Sequence, residues 1–456
     1  MSLPYSLTSF FCLLIISAQA QWTVLGTGSN ALGASSGGIY ALNASMPGHV
    51  YASGKFLDAN NYRYVADWNG TNWSELGTGA NALNANSNIW WIPFNKQGNM
   101  YAIGAFRDAN NYSYVAKWNG TSWGEVGTGS NALNANSQIY SIAFDSATNI
   151  YVGGYFTNSS GKEYVAKWNG STWTELGTLN ADSDIAVVIT DKYGNVYAAG
   201  EFYNTSAYKY VAKWNGSTWT ELGSGAAALK ANDIITSLAT DAAGNIYAAG
   251  AFTNSNGKAY VAKWDGTSWS ELGTGSNALN ANNFIYTILF DNAGNLYAAG
   301  GFTNSGGYYY VAKWNGSNWS ELGAPTSTLN ANSFIKAIAS DQSDNIYAAG
   351  NFSNADGYYV ARYTPAVSGV TNINARETEI QLFPNPAANT LNIQSLHQTG
   401  NASLCITDVT GKIIFQQQLQ NLNQSIDVSR WSSGMYICNI HAANWNQVKK
   451  IVVNHN

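Results

Sequence analysis

YVAKWNGSTWTELG, residues 164–177, returns letter for letter at residues 210–223. Close variants begin at Tyr64, Tyr114, Tyr260 and Tyr310. The stretch reads as a β-hairpin. Tyr164, Ala166 and Trp168 alternate with Val165 and Lys167, the two-residue period of a strand. Asn169-Gly170 supplies a turn, because both residue types tolerate positive φ. Trp173 opens a second short strand, which Gly177 ends. A lone hairpin buries too little apolar surface to stand by itself, so its copies must stack.

The stacking unit is larger than the hairpin. Trp22, Trp73, Trp123, Trp173, Trp219, Trp269 and Trp319 follow one another at 46–51 residues, and a steady period is the mark of a repeat architecture. Each period holds four strand-like runs. After the tryptophan strand comes a polar loop such as residues 128–137, TGSNALNANS, and then a strand such as residues 139–145, IYSIAFD. A tight turn such as residues 241–245, DAAGN, leads into residues 246–252, IYAAGAF. A second loop, residues 253–258, leads into YVAKW at residues 260–264. Four short antiparallel strands in about 50 residues make one propeller blade. Each strand type occurs seven times, but Trp22 lacks the three strands before it and Tyr359 lacks the tryptophan strand after it. The two fragments complement each other. They predict an all-β, seven-bladed β-propeller over residues 21–364, closed by the N-terminal strand. Closure covers an otherwise open blade edge, whereas a linear solenoid would carry atypical capping repeats.

Gly153-Gly154 and Gly300-Gly301 end second strands, and Trp314 and Trp319 sit on the third and fourth strands of one unit. This pattern resembles kelch-type propellers, where a double glycine precedes such an aromatic pair. Other units carry Ala-Gly, as at Ala199-Gly200.

Residues 1–20 read as a secretory signal peptide. Residues 10–16 form a short apolar core, and Ala18-Gln19-Ala20 fits a small-x-small cleavage site, so the mature chain begins near Gln21. The run is too short for a transmembrane helix, and no later segment qualifies, so no membrane span is expected in the mature chain. Pro365 ends the repeat, and residues 365–378 read as a linker. Residues 379–456 lose the glycines and the period, and alternating runs there predict a small C-terminal β-sandwich. Four landmarks stand out: LFPNPA at 382–387, ITDVTGK at 406–412, SGMYI at 433–437 and KKIVV at 449–453. Their order resembles the type A C-terminal sorting domain of the Bacteroidetes type IX secretion system. The resemblance implies Sec export, passage through the outer membrane by the type IX machinery, and a secreted or surface-held product.

Chemistry is harder to find. Charged residues are 10% of the chain, against roughly 25% in average soluble proteins. A net charge of −5 without a basic cluster argues against a nucleic-acid partner. His49 is the sole propeller histidine, which leaves little for a catalytic triad. Gly170-Ser171-Thr172-Trp173 is similar to the end of the sialidase Asp-box, but Trp168 and Ala166 stand where Asp and Ser are required. Glycoside hydrolysis needs a paired carboxylate, and Glu175 and Glu221 recur with the blades as solvated strand residues. The turns beginning at Asp191, Asp241 and Asp291 lack the dense Asp spacing of calcium loops. Asn69, Asn119, Asn169, Asn215 and Asn315 match a glycosylation pattern but sit at the hairpin turn. Trp168 and Trp173 are expected to pack between blades. Cys405 and Cys438 could pair in an oxidising compartment, or be two small buried hydrophobes. No cofactor and no metal site are expected.

A ligand site is better sought on the loops. The loop entering each blade and the loop between its second and third strands share one face, and both are rich in Asn and Ser. Asn86, Asn136, Asp182, Asn232, Asn282 and Asn332 hold one equivalent place before the inner strand. They could ring the channel mouth as ligand groups, or serve as ordinary Asx caps. The expected function is a monomeric, non-enzymatic binding or adhesion propeller for a glycan or a surface protein. Near-identical blades would add avidity. A propeller-type polysaccharide hydrolase or lyase, and a structural surface or matrix protein, are the alternatives.

Overall fold

The hairpin that opens the sequence argument forms as its residues require. Ala166–Trp168 pairs antiparallel with Trp173–Glu175, with Trp168 opposite Trp173. Between them the Asn169 side-chain oxygen accepts the Ser171 and Thr172 N–H groups, each at 2.9 Å. Gly170 sits at φ +98°, where a side chain would be strained. The computed structural model describes residues 20–34, 37–365, 380–395, 402–408, 412–419, 423–442 and 445–455. The leader reading of residues 1–20 and the linker reading of 365–378 lie outside these residues, save Ala20 and Pro365.

Ile139–Phe144, Ile150–Gly154, Ala166–Trp168 and Trp173–Glu175 form one four-stranded antiparallel sheet in that order. Five more sheets repeat it from consecutive strands. The seventh is composite: Ile335–Ser340, Ile346–Gly350, Ala361–Thr364 and, from the other end of the propeller, Gln21–Val24. The closing register runs from Gln21 opposite Thr364 to Val24 opposite Ala361. Blades are numbered one to seven from their first strands, which begin at Ile39, Ile89, Ile139, Ile185, Ile235, Ile285 and Ile335. First strands of neighbouring blades touch, so they surround the central channel.

Apolar side chains pack between blades as well as within them. Tyr101, Ile103 and Val115 of blade two pack with Ile139, Ile142 and Phe156 of blade three. The same wedge joins Ala337, Tyr347 and Ala349 of blade seven to Ile39, Leu42 and Phe56 of blade one. A phenylalanine after every second strand, such as Phe156, is fully buried. Its ring meets a tyrosine edge-on at 4.9 Å, Tyr164 in that blade. Truncating such a ring to Ala costs about 3–5 kcal/mol. The fourth-strand tryptophans stitch the seams. Trp173 donates its indole N–H to the Val126 carbonyl of the preceding blade at 2.9 Å, and Trp219 donates to Leu176. Trp22 closes the cycle by donating to Leu322 at 3.3 Å. Isolated bridges add a second seam on the loop face, including Ser113 with Ala135 and, across the closure, Ala34 with Tyr358.

One irregularity matters for function. The pairing of the inner strand skips Tyr140 between Ile139, opposite Gly154, and Ser141, opposite Gly153. Such a bulge leaves one residue out of the ladder and re-aims its side chain. Gly154 is required beside it, because a Cβ there would collide with the Gln138 carbonyl. All seven blades share this shift and this glycine.

The second unit, Ser368–Asn456, is a separate body. Ile380–Phe383, Thr390–Ser395 and Gln424–Asp427 make one sheet. Ile413–Leu419, Ala402–Asp408, Gly434–Ala442 and Trp445–Val453 make the other, and Leu391, Ile393, Leu404, Ile406 and Ile440 are among its shared core. Its landmarks are joined physically. Asn385 donates its side-chain N–H to the Lys450 carbonyl at 2.9 Å and accepts the Val452 N–H at 2.8 Å. Cys405 and Cys438 are free thiols, Cys438 buried and Cys405 partly so, which fits the second of the two readings of these residues. Cys405 lies opposite Asn439 while Cys438 lies opposite Ile406, so register turns the two side chains to opposite faces of the sheet. Burial, and then Cys405, push the Cys438 thiol up to about 12.

Candidate functional site

The Asn/Asp set on the loop face is engaged in its own blades. Asn136 accepts the Thr157 N–H at 2.9 Å and donates to the Thr157 hydroxyl at 3.0 Å. Asn232 and Asn282 make the same pair of bonds to Thr253 and Thr303. Asn86 grips the Arg107 backbone, Asn332 grips Ser353, and Asp182 accepts the Tyr203 N–H at 3.2 Å. Each side chain pins the entering loop to the turn after the second strand. The residues lining the channel are others, and the bonds of this set fit the Asx-cap alternative.

The recurring acids are likewise occupied. Glu175 accepts the side-chain N–H of Asn158, and Glu221 that of Asn204, so these carboxylates hold loops rather than standing free in solvent. Asp241 accepts the Gly244 and Asn245 N–H groups, the Asn245 side chain and the Tyr247 hydroxyl. Asp191 and Asp291 make the corresponding locks on Tyr197 and Tyr297. Among the described residues no group of three or more His, Cys, Asp or Glu is placed to hold a metal ion.

The channel is different. It encloses a cavity of about 560 Å³ walled by the inner strands. The bulged residue of each strand faces it at the loop-face end: Tyr40, Trp90, Tyr140, Ala186, Thr236, Tyr286 and Lys336. The buried isoleucine before each is the same in all seven blades, while these seven positions carry five residue types. The scaffold is therefore uniform and the mouth is not. Tyr40 and Trp90 lie 5.2 Å apart and only 32° from parallel. The Trp90 indole donates to Gln138 at 3.2 Å, which fixes that ring. Across the mouth, Tyr286 lies beside Phe334 and Phe284, and Tyr309 meets Phe334 edge-on at 5.3 Å. Deeper in, Trp91 is partly exposed in the bore. It lines both this cavity and a second one near Asn43 and Ser340, so it stands between them.

The mouth is electrically uneven. Lys336 holds its ammonium 3.4 Å from the centre of the Tyr286 ring, and Lys55 holds its own 5.4 Å from Tyr40. Burial, and then the neighbouring Lys55, bring the Lys336 amine down to about 8. Blade four is acidic instead. Burial, then Glu163 and Glu201, raise the Asp184 carboxyl, and burial with Asp184 raises the Tyr140 hydroxyl. Around the mouth, Tyr62, Tyr112, Tyr155, Tyr203, Tyr208, Phe284 and Tyr308 are exposed on the same loop face. An aromatic cleft with a few polar groups is suited to holding a ligand with flat apolar faces and a polar rim.

The sequence reading missed these mouth residues because it looked for repetition. The usable signal was the opposite: the positions on either side of each inner-strand isoleucine differ from blade to blade.

Residues 381–454 match the secretion system C-terminal sorting domain. No curated protein matches the chain by sequence. Among solved structures, the chain is similar to the extracellular domain of a two-component system protein of B. thetaiotaomicron, at 15% identity and a TM-score of 0.50, over 96% of this chain and 60% of that one. It is also similar to PorZ, a surface component of the type IX secretion system of Porphyromonas gingivalis, at 15% identity and a TM-score of 0.48, over 91% and 59%. A six-bladed fucose-recognising lectin of Aleuria aurantia gives 17% identity and a TM-score of 0.39, over 64% and 95%. The chain thus spans about three fifths of the first two, and likeness at this level concerns the fold alone. No helix among the described residues is long and apolar enough to cross a membrane. With its landmarks stitched into one β-sandwich, the C-terminal unit is a type IX sorting domain, and it directs this propeller to the cell surface.

Proposed function

We propose that the exported propeller is a non-enzymatic glycan-binding protein whose ligand enters the channel mouth on the loop face. The carrying observation is that four half-buried aromatics, Tyr40, Trp90, Tyr140 and Tyr286, face the channel from a bulge that all seven blades share. Sugar rings present apolar faces that stack on such aromatics while their hydroxyls reach the rim. Trp90 is held by Gln138 and offers one such platform. The mouth is a single asymmetric site, so avidity across equivalent blades is not needed.

The test is a glycan array probed with the purified exported chain, followed by titration of the hits with Trp90→Ala and Tyr140→Ala. Binding to a defined saccharide set, weakened by about tenfold or more in either variant, supports the reading. A blank array, or hits that both variants retain at full affinity, would overturn it and direct attention to surface proteins as partners.

A further inference from the structure

Lys336 is the single charged residue among the seven bulge positions. It and Lys55 come from blades seven and one, which adjoin across the ring closure. Gly37 lies against the Lys55 side chain and Gly38 against the Gly350 carbonyl, and Gly350 pairs with Ile335 next to Lys336, so both lysines stand at one seam. Among the described residues the ion pairs are His49 with Asp67 and Lys209 with Glu201, so neither mouth lysine has a carboxylate in reach. Both rest over tyrosine rings instead. A half-buried ammonium at Lys336, with the exposed Lys55 at the same seam and no counter-ion on either, is a site made ready for an anion.

The aromatics say what the anion is attached to. Tyr40 lies under Lys55 with Trp90 beside it, and Tyr286 lies under Lys336. An anionic group at the lysines therefore leaves its carrier against ring faces. Counting around a ring of seven, blade four is opposite blades seven and one, and it brings Asp184, while Glu201 there is already paired with Lys209 at 3.6 Å. The Asp184 carboxylate repels a second negative charge.

Resting on the glycan-binding reading, we infer that the channel mouth selects acidic saccharides, with the anionic substituent at Lys336 and Lys55 and neutral rings on Tyr40, Trp90 and Tyr286. A carboxylate and a sulfate ester share this chemistry. The acidic far wall favours one anionic group on an otherwise neutral chain over a polyanion.

The experiment is calorimetric titration of the full exported chain with matched probes at low salt. The probes are sialyllactose beside lactose, a glucuronic-acid disaccharide beside its carboxyl-reduced form, and galactose-6-sulfate beside galactose. The acidic member of at least one pair should bind about tenfold tighter, the size of one charge-assisted hydrogen bond. The carboxylate and sulfate arms identify the source. Lys336→Gln should erase the ratio of acidic to neutral affinity within the pair without lowering the melting temperature, and Lys336→Arg should retain that ratio. Lys167→Gln is the control, since Lys167 also lies over a tyrosine, at 5.6 Å, but away from the cavity. Equal binding of acidic and neutral probes, or a preference that survives Lys336→Gln, overturns the anion site and leaves the glycan-binding reading standing. No binding of any saccharide overturns both.

Discussion

Trp22→Ala tests ring closure most directly when it is paired with Trp173→Ala. The two indoles make equivalent contacts. Trp173 donates to Val126 of the preceding blade at 2.9 Å and lies 5.5 Å from Trp168. Trp22 donates to Leu322 at 3.3 Å and lies 5.4 Å from Tyr363. The difference is covalent: Trp173 follows its blade in the chain, while Trp22 arrives from the far end to complete blade seven. Truncating a fully buried tryptophan costs about 3–5 kcal/mol, and both rings are half-buried, so about 2 kcal/mol each is expected. With about 2.1 cal/mol/K of unfolding entropy per residue, that shifts Tm by about 3 °C in a domain of this size. If the ring is closed by Gln21–Val24, the two variants lose the same amount. Calorimetric melting of both beside the parent measures it. A Trp22→Ala protein that melts like the parent, beside a Trp173→Ala protein that does not, would refute closure by this strand.

Two further outcomes follow from the hydrogen-bond network. Asn136→Ala removes both bonds to Thr157 at an exposed site and should lower stability by about 1 kcal/mol, read by chemical denaturation. Its glycan affinity should match the parent, and a lost affinity at unchanged stability would return the Asn/Asp ring to the ligand site. Asp241 gives a pH signature. Burial alone would raise its carboxyl, but bonds from Asn245, Tyr247 and Gly244 outweigh that and hold it below the ordinary range. A depressed carboxylate stabilises above its unfolded pKa near 4 and loses that contribution as pH falls through the lower folded value. The denaturation midpoint of Asp241→Asn should therefore fall less steeply than the parent's between about pH 4 and pH 2. Parallel curves for the two proteins would show that the lock carries no charge-dependent stability.

The hairpin, the seven blades, the composite last blade and the sorting domain were all legible from sequence. Their signals are local or periodic. Asn169-Gly170 makes its turn whatever surrounds it, and a tryptophan every 46–51 residues reports a unit that must meet a copy of itself. The split fragments at Trp22 and Tyr359 even named the closing partners. Side-chain roles were legible only in part. Asn136 sits in the loop entering its blade, where one side chain can either face a ligand or pin a loop, and its bonds go to Thr157, 21 residues away. Likewise Cys405 and Cys438 look pairable along the chain, and only strand register sets them on opposite faces. The mouth is the extreme case. Tyr40, Trp90, Tyr286 and Lys336 are scattered over nearly 300 residues and have in common only the isoleucine before each. A bulge repeated at one height in every inner strand, and a ring that brings blade seven back beside blade one, put them around a single cavity. Local sequence determined the blade. Only closure of the ring decided which residues meet at its centre, because that proximity comes from the sum of seven blade-to-blade rotations and from no single segment.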